Sequence, residues 1–271
     1  MMPVHVAAPD GVNLAVYEWG TPAAPEVLFV HDFCSSAMAW AKQRRSDVGA
    51  AARLVAYDMR GHGSSDKPLE PGYYKEPVRW ADELRAVMDG LALEHPVVVA
   101  WGYGGVVLGH YLNLHGAARL AGVVLAGAIT RIGPEWSGPA RRHVPHMLSE
   151  NVAENVAATR AYLRGWFAQA PVQEDFELML GCAMMVPLAA RRGMIGPALD
   201  MDAALAALTV PALVVHGAND PVVPPEMGRI TAKRAPRSQF GLYEGCGHAP
   251  FYEAPERFNR SLIQFLKDTR K

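Results

Sequence analysis

The sequence predicts an α/β fold: a mostly parallel central sheet flanked by helices, with a helical cap inserted late in the chain. Three observations predict it. Short, continuous apolar runs recur, as in parallel strands buried on both faces. Helix-periodic stretches alternate with them. The alternation then stops over residues 132–200, where the pattern is helical throughout.

The elements follow in order. Val12–Glu18 alternates like a half-buried strand. Val27–His31 and Arg53–Asp58 are short apolar runs. A helix is predicted from Pro77 to about Leu91, with Pro77 suited to a first turn. Val97–Trp101 is the next strand, and a helix runs from the turn after it to about His115. Leu120–Ala126, Ala212–His216 and Gln239–Tyr243 complete the strands. Pro255–Lys267 closes the chain as an amphipathic helix with Phe258, Leu262, Phe265 and Leu266 on one side. Within 132–200, helices are expected at Val152–Ala168 and Gln173–Met185. The expected organisation is one domain: core residues 1–131, a cap over 132–200, and core residues 201–271.

At 271 residues and 50% apolar, the chain is long enough for one such domain with a sizeable core. A net charge of -1 argues against nucleic acid or an anionic membrane as partner. No apolar stretch reaches the ~18 residues of a membrane span. The N-terminal Met1-Met2-Pro3-Val4-His5 has no basic region followed by an apolar run, so no signal peptide is read. Three scattered cysteines, Cys34, Cys182 and Cys246, fit a reducing compartment, and a cytoplasmic location is expected.

The most informative segment is Ala100-Trp101-Gly102-Tyr103-Gly104-Gly105. It joins a strand to a helix through small residues, like a G-x-S-x-G nucleophile elbow. Its central residue is Gly102, which has no side chain and so can neither attack a carbonyl nor give a proton. Four other motifs accompany it: His31-Asp32-Phe33, Asp58-Met59-Arg60-Gly61-His62-Gly63-Ser64-Ser65-Asp66, His216-Gly217-Ala218-Asn219-Asp220 and Gly245-Cys246-Gly247-His248-Ala249-Pro250. Together, in this order and spacing, they resemble the α/β-hydrolase fold, in its branch of small esterases and cofactor-free perhydrolase-like enzymes. The resemblance covers nearly the whole chain.

That resemblance implies roles. The family's triad runs nucleophile, acid, base along the chain. Asp220 then falls at the acid and His248 at the base, a carboxylate fixing the tautomer of an imidazole. Asn219-Asp220-Pro221 is also ordinary turn chemistry, and His248 sits in a Gly-rich loop. The oxyanion donors correspond to the backbone N–H groups of Phe33 and Tyr103.

Two positions depart from the pattern. Gly102 stands where the nucleophile belongs, and glycine adopts the strained angles of such a turn freely. Asp32 stands where the family has glycine. Ionised beside an oxyanion hole it would repel the developing charge. It fits acid–base work instead, with Asp32 and His248 flanking a substrate. Its other reading is a cap for the turn near Ser35-Ser36.

The remaining candidates are weaker. His143 and His146 are three apart but lack a third ligand, so no metal is expected. His110 and His115 read as structural, and Arg60-Gly61-His62-Gly63 as a turn without a phosphate-binding helix. Trp136, Trp166, Phe167, Phe176, Met179, Met184 and Met185 make up cap core, and some are expected to line an apolar pocket, with Cys34, Trp101, Trp136 and Trp166 as its candidates. No cofactor is expected, the partner is a small apolar molecule, and the oligomeric state is open.

The leading functional expectation is an enzyme without an acyl-serine. It would use His248, Asp220 and Asp32 in non-covalent acid–base chemistry on a small apolar carbonyl or oxygenated compound. Water addition, epoxide opening, lyase, cyclisation and isomerisation reactions all fit. The alternatives are a serine esterase or perhydrolase inactivated by Gly102, and a non-catalytic binding protein on the same fold.

Overall fold

The computed structural model describes residues 2–196 and 198–269; Met1, Pro197 in the predicted cap, and the final Arg270 and Lys271 lie outside the described residues. Among the described residues, eight strands form one sheet: β1 (Val4–Ala7), β2 (Asn13–Gly20), β3 (Glu26–Val30), β4 (Arg53–Tyr57), β5 (Val97–Trp101), β6 (Gly122–Ala126), β7 (Ala212–Gly217) and β8 (Ser238–Tyr243). Their order is β1-β2-β4-β3-β5-β6-β7-β8. Only β1–β2 and β2–β4 pair antiparallel; the rest is parallel. β5 and β6 are buried along their full length, which is why their sequences are unbroken apolar runs.

The strand order reverses direction at β3, which has β4 on one side and β5 on the other. Ligand crevices of open α/β sheets form at such a switch, beyond the carboxyl ends of the strands. Val30 pairs with Ala100 across β3 and β5. Two residues further along each chain stand Asp32 and Gly102. The register therefore delivers these two positions side by side at the crevice.

Helices pack on both faces, notably Pro77–Gly90, Gly104–His115, Pro225–Arg234 and Pro255–Asp268. Phe258, Leu262, Phe265 and Leu266 are buried, as their helical spacing predicts. Between β6 and β7 lie helices Val152–Arg164, Gln173–Met184 and Leu188–Met194. This stretch leaves and returns at one point. Arg131 and Asp200 form an antiparallel bridge, Ile132 N–H donates to Leu199 O at 3.1 Å, and Arg131 Nε donates to Asp202 at 2.8 Å.

Several elements differ from expectation. The first cap helix ends at Arg164, not Ala168, because Gly165 caps it and the chain turns to bury Trp166. Strand β1 shows no inward alternation, being largely exposed. The Pro225–Arg234 helix buries only Met227, Gly228 and Thr231, too few positions for a visible apolar stripe. Among the described residues no helix is long and apolar enough to cross a membrane.

One buried ion pair anchors the loop after β4. Arg60 Nε donates to Glu83 at 2.6 Å and Nη1 to Asp10 at 2.7 Å, and the Arg60 N–H also points to Glu83. Glu83 lies on the Pro77–Gly90 helix, so the pair ties that helix to the turn carrying His62. Removing one member of a buried pair leaves the other charge uncompensated. Glu83→Ala is expected to cost about 3–5 kcal/mol in denaturant unfolding. A loss below about 1 kcal/mol would show that the pair does not hold this turn.

Candidate active site

Gly102 sits between β5 and the Gly104–His115 helix with φ +53°, a conformation that L side chains rarely adopt. Asp32 lies in the loop after β3. Its Oδ1 accepts from Tyr103 N–H at 2.5 Å and its Oδ2 lies 3.1 Å from His248 Nε2. His248 Nδ1 lies 2.8 Å from Asp220 Oδ2. Asp220 Oδ1 accepts from the N–H groups of Val222 and Val223 at 2.8 and 3.0 Å. Asp32, His248 and Asp220 thus form one continuous relay, none of them more than 6% exposed.

This arrangement sharpens several sequence expectations. A Cβ built on Gly102 would fall inside the Asp32 carboxyl group. The two departures from the family pattern are therefore one feature: the carboxylate fills the space a side chain at 102 would need. Asp32 and His248 touch directly, so they do not flank a gap wide enough for a substrate or water. The capping reading for Asp32 is also corrected. Ser36 caps the 3-10 turn Ala37–Trp40 instead, its Oγ accepting from Met38 N–H at 3.3 Å. Of the two expected oxyanion donors, the Tyr103 amide is occupied by Asp32. The Phe33 N–H makes no hydrogen bond among the described residues.

The loop that presents Asp32 is held by two buried imidazoles whose roles the sequence left unassigned. His31 Nδ1 is 2.8 Å from Asp32 O, while its Nε2 accepts from Met59 N–H at 3.0 Å. His62 Nδ1 is 2.9 Å from Arg60 O, and its Nε2 accepts from Cys34 N–H at 3.2 Å. Each ring therefore carries its proton on Nδ1. Burial pushes His31 down to about 4 and His62 down to about 3, which keeps both neutral. Cys34 takes φ +57°, in the left-handed region, two residues after Asp32.

His248 is fixed from three sides. His248 N–H donates to Trp166 O at 2.7 Å, and Trp101 Nε1 donates to His248 O at 2.9 Å. Glu253 receives the N–H groups of Gly247 and Ala168 at 2.6 and 2.7 Å, clamping the histidine loop to the segment after the first cap helix. Gly127 packs against His248 and Asp220 where a Cβ would crowd both. His216 Nε2 stands 3.1 Å from Asp220 Oδ2, giving that carboxylate a second imidazole neighbour. Glu253, His31 and His62 reach partners 28 or more residues away, whereas His216 meets Asp220 four residues on, and only membership of the motifs pointed to the three histidines.

The charges follow from these contacts. Burial opposes a charged His248, but the Asp220 carboxylate and its hydrogen bond, reinforced by Asp32, push the imidazole up to about 10. Burial would raise Asp220, yet His248 and His216 hold it well below the usual carboxylate range. Both carboxyl contacts therefore favour the protonated form of the ring. Cys34, by contrast, is pushed up to about 12 by burial and is no nucleophile at neutral pH.

An apolar cavity of about 410 Å³ adjoins the relay. Cys34, Trp101 and Trp166 line it, as expected, together with Trp40, Phe251 and Tyr252. Asp32, Gly102 and His248 do not; their neighbours Cys34, Trp101 and Ala249 form the intervening wall. Trp136 is displaced from the expected pocket: it sits at the entry to the 132–200 segment, with the Arg131 guanidinium 5.5 Å from its ring centre. His146 pairs with Glu154 at 2.7 Å on the surface. Among the described residues, no three metal-ligating side chains stand together.

Residues 27–261 fit the model of the alpha/beta hydrolase family. The chain belongs to that family. A non-heme chloroperoxidase of Kitasatospora aureofaciens is 30% identical to this hydrolase, over 95% of the chain and 97% of its own length. A structure described as a candidate aryl esterase of Burkholderia cenocepacia superposes with a TM-score of 0.95 at 33% identity, covering 98% of both chains. An esterase of Rhodococcus sp. ECU1013 reaches 0.91 at 31% identity, over 98% of this chain and 99% of its own. The hydrolase thus shares the whole architecture of these enzymes, sheet, helices and inserted segment alike.

Opposed pKa shifts make stability peak between them. His31 and His62 are lowered from 6.5, so their contribution is present above pH 6.5 and is lost as pH falls towards 4 and 3. His248 is raised from 6.5, so its contribution is present below pH 6.5 and is lost as pH rises through about 10. Unfolding free energy measured in denaturant from pH 4 to pH 10 is expected to be greatest near pH 6.5. His248→Gln should flatten the alkaline limb and spare the acid limb. An unchanged alkaline limb would show that His248 is not charged in the fold.

Proposed function

We propose that this alpha/beta hydrolase acts without an acyl-serine, by proton transfer through Asp32, His248 and Asp220. The substrate is a small, largely apolar carbonyl or oxygenated compound. One observation carries this reading: the Asp32 carboxylate occupies the side-chain space above Gly102 and bonds both His248 Nε2 and Tyr103 N–H. The imidazolium is the acid, and Asp32 is the base beside it. The step requires the Asp32 carboxylate to swing off both groups it now bonds, so that a substrate oxygen replaces it on the Tyr103 amide and receives the proton from His248 Nε2. Asp220 stays ionised and supports the charge on the ring. Water addition to a polarised bond or an epoxide, elimination, cyclisation and isomerisation all use such a pair. The relatives named as esterases weigh towards the hydrolytic member of this set.

The same overlap weighs against an esterase disabled only at position 102. Serine does not fit there while Asp32 holds its place, so restoring the nucleophile requires two changes. Retention of the buried Asp220–His248 pair counts against a pure binding protein, because a pocket needs no proton relay.

The test is a set of variants assayed on epoxides, β-hydroxy ketones and activated aryl esters. Asp32→Asn and His248→Ala should each lower kcat by about 10²–10⁴-fold at unchanged fold. An Asp32→Asn protein with full activity would end the acid–base role. A single turnover in H₂¹⁸O should leave the Asp32 peptide unlabelled, with label in the product if water is added; label in the Asp32 peptide would instead reveal an ester at Asp32 and overturn the non-covalent route. Gly102→Ser with Asp32→Gly tests the esterase alternative. Burst kinetics in that double variant, with wild type inert on every substrate, would make the disabled esterase the better account.

A further inference from the structure

The Asp220 oxygen that faces His248 has a second imidazole beside it, which the proposed proton transfer does not use. His216 is the fifth residue of β7 and is 1% exposed, after an apolar run of Ala212, Leu213, Val214 and Val215. Its Nε2 donates to Val223 O at 3.0 Å, and the same nitrogen stands 3.1 Å from Asp220 Oδ2. A carbonyl oxygen only accepts, so Nε2 carries a proton. Asp220 Oδ2 is also the oxygen 2.8 Å from His248 Nδ1. The other oxygen, Oδ1, is taken by the N–H groups of Val222 and Val223.

Two glycines make room for this arrangement. A Cβ on Gly228, in the Pro225–Arg234 helix, would stand 2.6 Å from His216 Nδ1. A Cβ on Gly127 would come within 3.2 Å of His248 Nδ1 and 3.3 Å of Asp220 Oδ2. An apolar side chain at 216 would continue the buried strand without the cost of desolvating an imidazole. The ring therefore marks a use for its N–H. The other titratable groups around the pair come from two further elements. Asp32 faces His248 Nε2 from the loop after β3, and Glu253 holds Gly247 N–H from the Pro250–Glu253 turn. His216 meets the relay at Asp220.

We propose that His216 is a positioning residue that sets the acidity of His248 through the Asp220 oxygen they share. The positive end of its N–H dipole favours negative charge on Oδ2, which makes Asp220 a weaker base. A weaker base pulls less on the Nδ1 proton of His248, so the ring releases its Nε2 proton more readily. With both oxygens engaged, the carboxyl group is also held against rotation. The proposal deepens the function above and rests on that reading for turnover alone; the effect on His248 is read in the resting protein.

Titration of the His248 ring nitrogens by NMR, on the alkaline side of neutrality, tests it. His216→Phe keeps a ring and removes the donor, and His248 should then titrate about one unit higher. His216→Asn places its amide one bond short of the Nε2 position and serves as a second variant without that donor. His216→Gln puts an amide N–H where Nε2 stood and should return the titration to that of the wild type. On any substrate turned over, His216→Phe should lower kcat about tenfold with KM unchanged, and His216→Gln should recover it. A His248 titration that is unmoved or lowered in both His216→Phe and His216→Asn overturns the proposal. So does a loss of kcat that His216→Gln shares in full. The expected titration shifts with no turnover of any assayed substrate uphold the role of His216 and remove only the acid–base reading.

Discussion

The site depends on one steric exclusion. The Asp32 carboxyl group and a side chain at position 102 compete for one volume, and in this chain the carboxylate holds it. Everything nearby is arranged around that choice. Tyr103 N–H, which in an elbow of this kind would face a developing oxyanion, is bonded to Asp32. His248 Nε2, which would face a serine hydroxyl, faces the same carboxylate. A positive φ at 102 and a left-handed Cys34 beside Asp32 show where the backbone accommodates it.

The fold delivers this contact through sheet register rather than through local sequence. β3 and β5 are parallel neighbours, and pairing of Val30 with Ala100 aligns the two loops that leave them. A shift of one residue would turn side chains to the opposite face. Neutral His31 and His62 then pin the Asp32 loop to the loop after β4, and the Arg60–Glu83 pair pins that loop to a helix. On the other side Glu253 and the carbonyl of Trp166 fix the histidine loop. The three contacting side chains are therefore held in place by groups outside the relay.

How much of this was legible follows from which interactions are local. β5, β6 and β7 were readable because both their faces are buried, so their residues are apolar without interruption. β1 and the Pro225–Arg234 helix were not, because each turns mostly outward. Asp220 and His248 were readable from motif order, since each follows its strand at a short fixed distance. Asp32 was readable as a departure, but its direction was not: choosing between a cap and the relay requires knowing that β3 lies beside β5. Trp136 was assigned to the pocket on residue type alone, and type says nothing about which side of the entry point a ring falls on. Glu253 carried no signal, because its partners Gly247 and Ala168 belong to two loops that only the folded chain brings together.

The energetics give the relay its meaning. Two carboxyl groups and an imidazole, all buried, form a chain of polar contacts inside the protein. Well-packed apolar groups in the same volume are often as stabilising as a buried ion pair, or more so. A chain that needed only stability would have no reason to put the polar Asp32 above Gly102 when leucine or valine would fill the space. Nor would it surround that carboxylate with a protonated imidazole and an amide donor while sealing both from water. The cost of burying such a set is offset when the charges change during a reaction, because a low-dielectric, prearranged site then favours the altered state. Gly102 completes the argument. Its missing side chain leaves room for the Asp32 carboxylate where a side chain at 102 would otherwise have stood.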